Sequence, residues 1–402
     1  MSSSAPVNPS AVFARRYDLD WLRIIAFGLL IFYHIGMFYV TWGWHVKSPH
    51  ANAEPEFLMD LLNPWRLALL FFISGVAIRF LADKIGSGRF AMSRLWRLLP
   101  PIVFGVAVVV MPQAYFQLLE AGEIEPGILA FWSRYLSEGQ ISGLIVPTWN
   151  HLWYIVYLLA YCLILAPLMP LLRSFGDGPA GRAVGRLWGG PLGLVALLIL
   201  PSLPFWGMRI FIDPYFDTTH NLVWDWANHA HRFTILLFGY FAAKSERFWL
   251  GVDRVLPLAA LYAIAYSLVF WWALQRPEAA WDGQERMLWL LRLARITYAW
   301  AIILTLMGLA RRFLKGDGPV RRYLSEAIFP YYILHQTIIV SAGHWLALLG
   351  LGVWTEFAGL TVITILGCVI GFEIVRRIPI LRPVMGLKWA KELKTKQVVA
   401  AE

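Results

Sequence analysis

Apolar runs of about 20 residues recur along the whole chain. Wound as a helix at 1.5 Å per residue, such a run matches the hydrocarbon thickness of a bilayer. Ten are expected to span: 19–40, 61–82, 98–115, 151–172, 190–206, 229–243, 255–274, 292–310, 327–349 and 357–375. Backbone in hydrocarbon must satisfy its own hydrogen bonds, so the runs read as helices and the chain as an all-α polytopic membrane protein. Composition agrees, with 59% of 402 residues hydrophobic and 15% charged, against roughly 25% charged in soluble domains. Residues 1–18 are expected to be a disordered N-terminal segment, 19–380 a single transmembrane domain and 381–402 a basic tail. The first apolar run is too long for a signal core, so no cleavable signal peptide is expected. No internal repeat or soluble domain is evident.

The formal net charge of +10 reads as a topology signal. With loops assigned to alternate sides, one side gathers Arg15, Arg16, Arg79, Lys84, Arg89, Arg94, Arg97, Arg173, Arg311, Arg312, Arg321, Arg322 and the basic tail. The other gathers mainly Glu54, Glu56, Asp60, Glu120, Glu123, Glu125, Asp213, Asp217 and Asp225. This is the positive-inside pattern, expected at every loop, with both termini cytoplasmic in a multi-pass bacterial inner-membrane protein. The lipid bilayer is the implied partner and nucleic acid is not. Contact with anionic headgroups is a secondary use of the same charge.

Within this frame two ionisable residues stand out. Arg23 and His34 lie eleven positions apart in the first span, which at 100° per residue puts both on one face. Ionisable groups in lipid are costly, so that face must meet protein or water. Counted from the cytoplasmic end, Arg23 falls at about 6 Å depth and His34 at about 22 Å, with Ser74 and His335 each at about 12 Å. His34 suits a general base; a packing histidine is the plain alternative. Arg23 suits an anion or carbonyl partner; a snorkelling arginine, or a local pair with Asp20, is as reasonable. Arg94 and Arg97, three apart at the mouth of the third span, can clamp phosphates or simply anchor the helix at the interface.

Ser74-Gly75 reads first as a close helix contact. Arg66 sits near the outer end of the same span. His151 and Trp153 open the fourth span as an interfacial anchor or a site element. His344 is turned about 180° from His335 and should not share its site. Glu373 is spaced to pair with Arg376 and Arg377. Cys162 and Cys368 read as buried thiols. His45, His50, His220, His229 and His231 lack ligand spacing, so no metal site is expected. Phosphate-binding glycine loops and nucleophile elbows are likewise absent from the sequence. The loop 116–150 is a candidate lid, and 207–228 is rich in aromatics that serve either a membrane belt or sugar stacking.

Leu19-Asp20-Trp-Leu-Arg23 with His34, Phe72-Ile-Ser74-Gly75, Arg94 with Arg97, His151-Leu-Trp153 and Tyr332-Ile-Leu-His335-Gln336 together resemble the integral-membrane acyltransferase-3 family. Trp44-His45-Val-Lys-Ser48, Arg66, Phe238-Gly-Tyr-Phe241 and Glu373 with Arg377-Ile-Pro-Ile-Leu are similar to its glucans biosynthesis protein C group. That group is associated with succinylation of periplasmic glucans. The resemblance implies an acyltransferase with no permanently bound cofactor. It would move a succinyl or acetyl group from cytosolic succinyl-CoA or acetyl-CoA to a hydroxyl of a periplasmic or envelope saccharide. His34 and Arg23 would be catalytic; Arg94, Arg97 and Ser74 would face the acyl-CoA; Arg66, His151, Trp153, His335 and Glu373 would support the site or face the acceptor. A transporter of a small anionic or sugar substrate is the rival reading, opposed by the lack of duplicated halves with paired broken spans. Oligomeric state does not follow from the sequence.

Overall fold

The structure is a computed structural model describing residues 16–190 and 192–389. Its helices are α1 Tyr17–Tyr39, α2 Glu56–Ala82, α3 Ser87–Phe104, α4 Met111–Glu120 and α5 Ile128–Ser137. A two-stranded antiparallel hairpin follows, Gln140–Ile141 against Leu144–Ile145. Then come α6 Trp153–Asp177, α7 Pro179–Gly189, α8 Gly193–Ile199, α9 Leu203–Phe211, α10 Trp226–Ala242, α11 Glu246–Leu274, α12 Glu285–Phe313, α13 Pro319–Ala347, α14 Val353–Arg377 and α15 Leu381–Val384. Among the described residues, eight helices are long and apolar enough to cross a membrane. The two other expected spans fall on α10, only 17 residues long, and on α13, which carries Arg321, Arg322, Glu326, His335 and His344.

Side-chain contacts fix the up-and-down alternation. At the basic end Asp20 accepts from buried Arg321 at 2.8 Å, Arg311 pairs with Asp253 at 2.8 Å, and Arg79 reaches Asp177 at 2.6 Å. At the other end Ser48 donates to Glu356 at 2.5 Å, His344 meets Glu120 at 2.9 Å, and Arg295 pairs with Asp60 at 2.8 Å. The expected charge segregation does not hold throughout. Arg134, Arg209, Arg232, Arg276, Arg286, Arg292 and Arg295 all fall toward the acidic end.

Helices approach closely where glycine allows it. A Cβ on Gly75 would lie 1.9 Å from the Leu236 carbonyl oxygen, and one on Gly239 would lie 1.9 Å from that of Phe72. Small residues thus lock α2 against α10, as membrane helices without a hydrophobic driving force require.

The third span is one helical rod from 87 to 120, broken by a π-helical turn at Gly105–Val109. Such a turn disturbs the backbone ladder and frees carbonyls. Three side chains collect them: Tyr135 donates to Val106, Trp132 to Ala107 and Thr337 to Val109, at 2.9, 2.8 and 2.5 Å. The segment 116–150 is therefore a structured cap seated on this turn.

The expected disordered segment lies almost wholly outside the described residues, and α1 already begins at Tyr17. The expected tail begins as a docked segment. Arg382 is buried and bonds Glu326 and the carbonyls of Arg376 and Lys388. Residues 390–402 lie outside the described residues. Cys162 and Cys368 are free and buried.

Candidate active site

α1 and α13 run side by side, held at their starts by the Arg321–Asp20 pair. His34 is 17 positions into α1 and His335 is 16 into α13, so both rise to about 25 Å. The expected depths differ by about 10 Å because α13 begins two polar turns before the apolar run, at Pro319. His34 Nδ1 and His335 Nε2 are 2.7 Å apart, with the rings stacked at 4.9 Å and 16°.

The tautomers follow by elimination. A carbonyl only accepts, so His335 Nδ1, 2.7 Å from the Tyr332 carbonyl oxygen, carries hydrogen. Neutral His335 then offers a lone pair at Nε2, and His34 must donate through Nδ1. His34 Nε2 is left as an unprotonated nitrogen, available as a base. Trp44 stacks over His34 at 6.5 Å and 18°.

A polar network surrounds the pair. His151 lies edge-on to His335 at 5.2 Å, and its Nε2 donates to the Ile333 carbonyl at 3.1 Å. The Asn150–Leu152 turn is thus deep in the bundle, so of the two readings of His151 the interfacial anchor does not hold. Fully buried Gln113 donates to Thr337 at 2.7 Å and to His151 Nδ1 at 3.3 Å, and accepts from Gln336 and Asn150 at 3.0 Å each. Gln336 also donates to His45 Nε2 at 2.9 Å, and His45 Nδ1 donates to Gln117 at 2.6 Å. Burial pushes the His45 imidazole below its ordinary range, against the raising effect of Gln117.

The other expected site residues separate into groups. Ser74 shares a 2.7 Å hydrogen bond with Tyr154, whose ring lies 5.9 Å from that of Tyr332 beneath the histidines. Arg23 is near enough to Tyr154 to interact electrostatically, its Nε has no partner, and its approach to Asp20 is a loose 3.9 Å. Arg94 stands over Phe90 at 5.7 Å and near Cys162; Arg97 lies one turn on. Arg66 stacks 3.4 Å over Tyr33 and bonds Asn63 at 2.6 Å. Buried Trp153 contacts Phe71 and His220 rather than the histidine pair. Glu373 is at the basic end, held by Arg376, Arg377 and Tyr323, and supports neither the pair nor an outer-side acceptor. His344 pairs with Glu120, apart from His335.

Sequence reasoning missed Gln113, Gln117, Thr337 and Tyr154. The available signal was Gln113 and Gln117 at i,i+4 spacing near the end of an apolar run. The Trp44-to-Ser48 stretch folds back onto this region: Lys47 donates to the Met37 and Val40 carbonyls at 2.7 and 2.6 Å, closing the end of α1.

Fold and site together define an all-α membrane protein with a directionally hydrogen-bonded imidazole pair, His335 fully buried and His34 half-buried. A family model described as an acyltransferase domain, that of the acyltransferase-3 family, matches residues 16–373. The chain belongs to this family. Glucans biosynthesis protein C of Escherichia coli strain K12 is 25% identical over 146 residues, which are 36% of this chain and 36% of that protein. Its counterpart in Escherichia coli O6:K15:H31 is 24% identical over 144 residues, again 36% of each. The match thus spans about a third of these relatives. No solved structure matches.

Proposed function

We propose that this acyltransferase moves an acyl group, succinyl or acetyl, from cytosolic acyl-CoA to a hydroxyl of a saccharide on the far side of a bacterial inner membrane, with a periplasmic glucan as the model acceptor. The observation that carries the reading is the hydrogen bond donated by His34 Nδ1 to His335 Nε2, which leaves His34 Nε2 as a free base about 25 Å from the basic end. That end is taken as cytoplasmic on the charge of its loops. Arg94 and Arg97 receive the donor phosphates there, and the thioester reaches inward past Arg23 and Ser74–Tyr154. His34 Nε2 removes the acceptor hydroxyl proton as the oxygen attacks the thioester carbonyl. The C–S bond breaks, the ester forms, and the imidazolium returns its proton to the departing CoA thiolate. His335 is a positioning residue that fixes the tautomer and steadies the imidazolium. Arg66, on the acceptor side, sets the local field. The partial likeness to glucans biosynthesis protein C supports a saccharide acceptor.

The test is acyl-CoA-dependent transfer to glucan by purified His34→Ala, with CoA release as readout. A loss of about 10²- to 10⁴-fold is expected. Near-normal transfer by a correctly inserted variant rejects the assignment. A permease would release no CoA thiol.

A further inference from the structure

A cavity of about 370 Å³ opens between α2, α9, α10 and α12 toward the acidic end, apart from the histidine pair. Four guanidiniums line it, from Arg209, Arg232, Arg292 and Arg295, against one lining carboxylate, Asp213. Positive-inside sorting keeps arginine away from this end, so this concentration needs a separate cause. The local anions balance it only in part. Asp213 is shared between Arg209 at 3.2 Å and His231 at 2.9 Å, and Asp60 serves Arg295 from outside the lining. Among the described residues Arg232 hydrogen-bonds the neutral amide of Asn228, at 2.9 Å, and feels Asp225 electrostatically without a direct bond. The carboxylate behind it, Asp225, is fully buried and already accepts from Tyr157, Asn228 and the backbone of Thr219 and His220. Among the described residues Arg292 meets the Trp289 ring, at 5.2 Å, and no carboxylate.

A second observation lies on the cavity wall. Asn63, a lining residue, accepts from Arg66, which is 8% exposed and has a buried Nε without a partner. Arg66 and Arg232 are close enough to repel one another. Buried like charges held by neutral amides are stabilised by an external anion. Guanidinium forks match oxyanion geometry in pairs. The volume suits a small ligand group rather than a whole glucan chain.

We propose that this cavity is an oxyanion site of the phosphate class. It would take a phosphoryl group carried either by the acceptor or by an anionic lipid of the outer leaflet, seated beside the His34 region through Arg66. The inference deepens the acyltransferase reading by adding negative charge to the acceptor-side ligand.

The test uses the full chain in phosphatidylcholine nanodiscs, inorganic phosphate as probe and chloride at equal ionic strength as control, read as melting temperature. Phosphate should raise the wild-type value where chloride does not. Arg292→Gln should need about ten-fold more phosphate. Asp213→Asn, freed of the competing carboxylate, should respond at several-fold less, which a merely structural role would not produce. Equal responses across the three proteins, or equal effects of phosphate and chloride, overturn the proposal. Phosphatidylglycerol in the disc then separates the sources: loss of the phosphate response assigns the site to lipid, and its survival assigns it to the acceptor. Transfer is not measured, so failure here leaves the acyltransferase reading standing, and failed transfer leaves this one standing.

Discussion

Replacing His335 by Phe keeps a flat ring stacked near His34, where the imidazole now lies at 4.9 Å and 16°, and deletes the 2.7 Å acceptor for His34 Nδ1. In the resting state that bond is neutral and contributes about 0.5–1.5 kcal/mol net. When His34 holds the acceptor's proton, the donor is charged and the bond contributes about 1.5–3 kcal/mol. The difference, about 1–2 kcal/mol, exists only in the reacting state. Its loss should lower kcat about 5- to 30-fold. KM for acyl-CoA should hold, because His335 lies far from the basic mouth. His34→Ala should cost far more, and the double variant should be no slower than His34→Ala alone, since His335 acts through His34. The assay is CoA thiol release by purified, correctly inserted protein. A His335→Phe loss matching that of His34→Ala, or multiplicative losses in the double variant, refutes the positioning role.

Three further outcomes follow from described contacts. Arg94→Gln and Arg97→Gln should each raise KM for acyl-CoA about ten-fold with kcat nearly kept, a split read from initial rates. Burial pushes the Asp83 carboxyl up, but hydrogen bonds from Lys244 and Arg79 outweigh this and hold it below its ordinary range near 3.8. A depressed folded-state pKa contributes stability above the unfolded value that is lost as pH falls through the folded one. Asp83→Asn should therefore melt lower than wild type at pH 7, and the two should converge in acid below the ordinary value. Gly239→Ala would set a Cβ 1.9 Å from the Phe72 carbonyl oxygen and should destabilise by about 1–3 kcal/mol or more; wild-type melting would contradict the close α2–α10 crossing.

The helical architecture was legible because its signal is long and redundant: each span repeats the same apolar statement over about 20 residues. His34 was legible for the same reason in reverse, as an ionisable residue in such a run. Its partner was not. The pairing with His335 depends on where α13 begins, and Pro319 to Glu326 read as loop because their charges resemble loop charges. In the structure Arg321 is buried between Asp20 and Asp317, so those charges are interior contacts. Gln113 and Tyr154 were hidden because a lone polar residue in a hydrophobic run carries no partner's address. Glu373 shows the opposite case: its local i+3 and i+4 pairing was visible in the sequence, and the bond from Tyr323 on α13 was not.

The π-helical turn has a consequence for register. One extra residue per turn rotates whatever follows by about 100° relative to an uninterrupted helix. Arg94 and Arg97 precede the turn, and Gln113 and Gln117 follow it. The rod thus presents different azimuths to its two halves: Arg94 toward Cys162 of α6 below, Gln113 toward Gln336 and Thr337 of α13 above. Selection can re-index the lower half by a residue without turning Gln113 away from His151, provided the turn absorbs the change. Tyr135, Trp132 and Thr337, fastened to its carbonyls, act as the stops of that vernier.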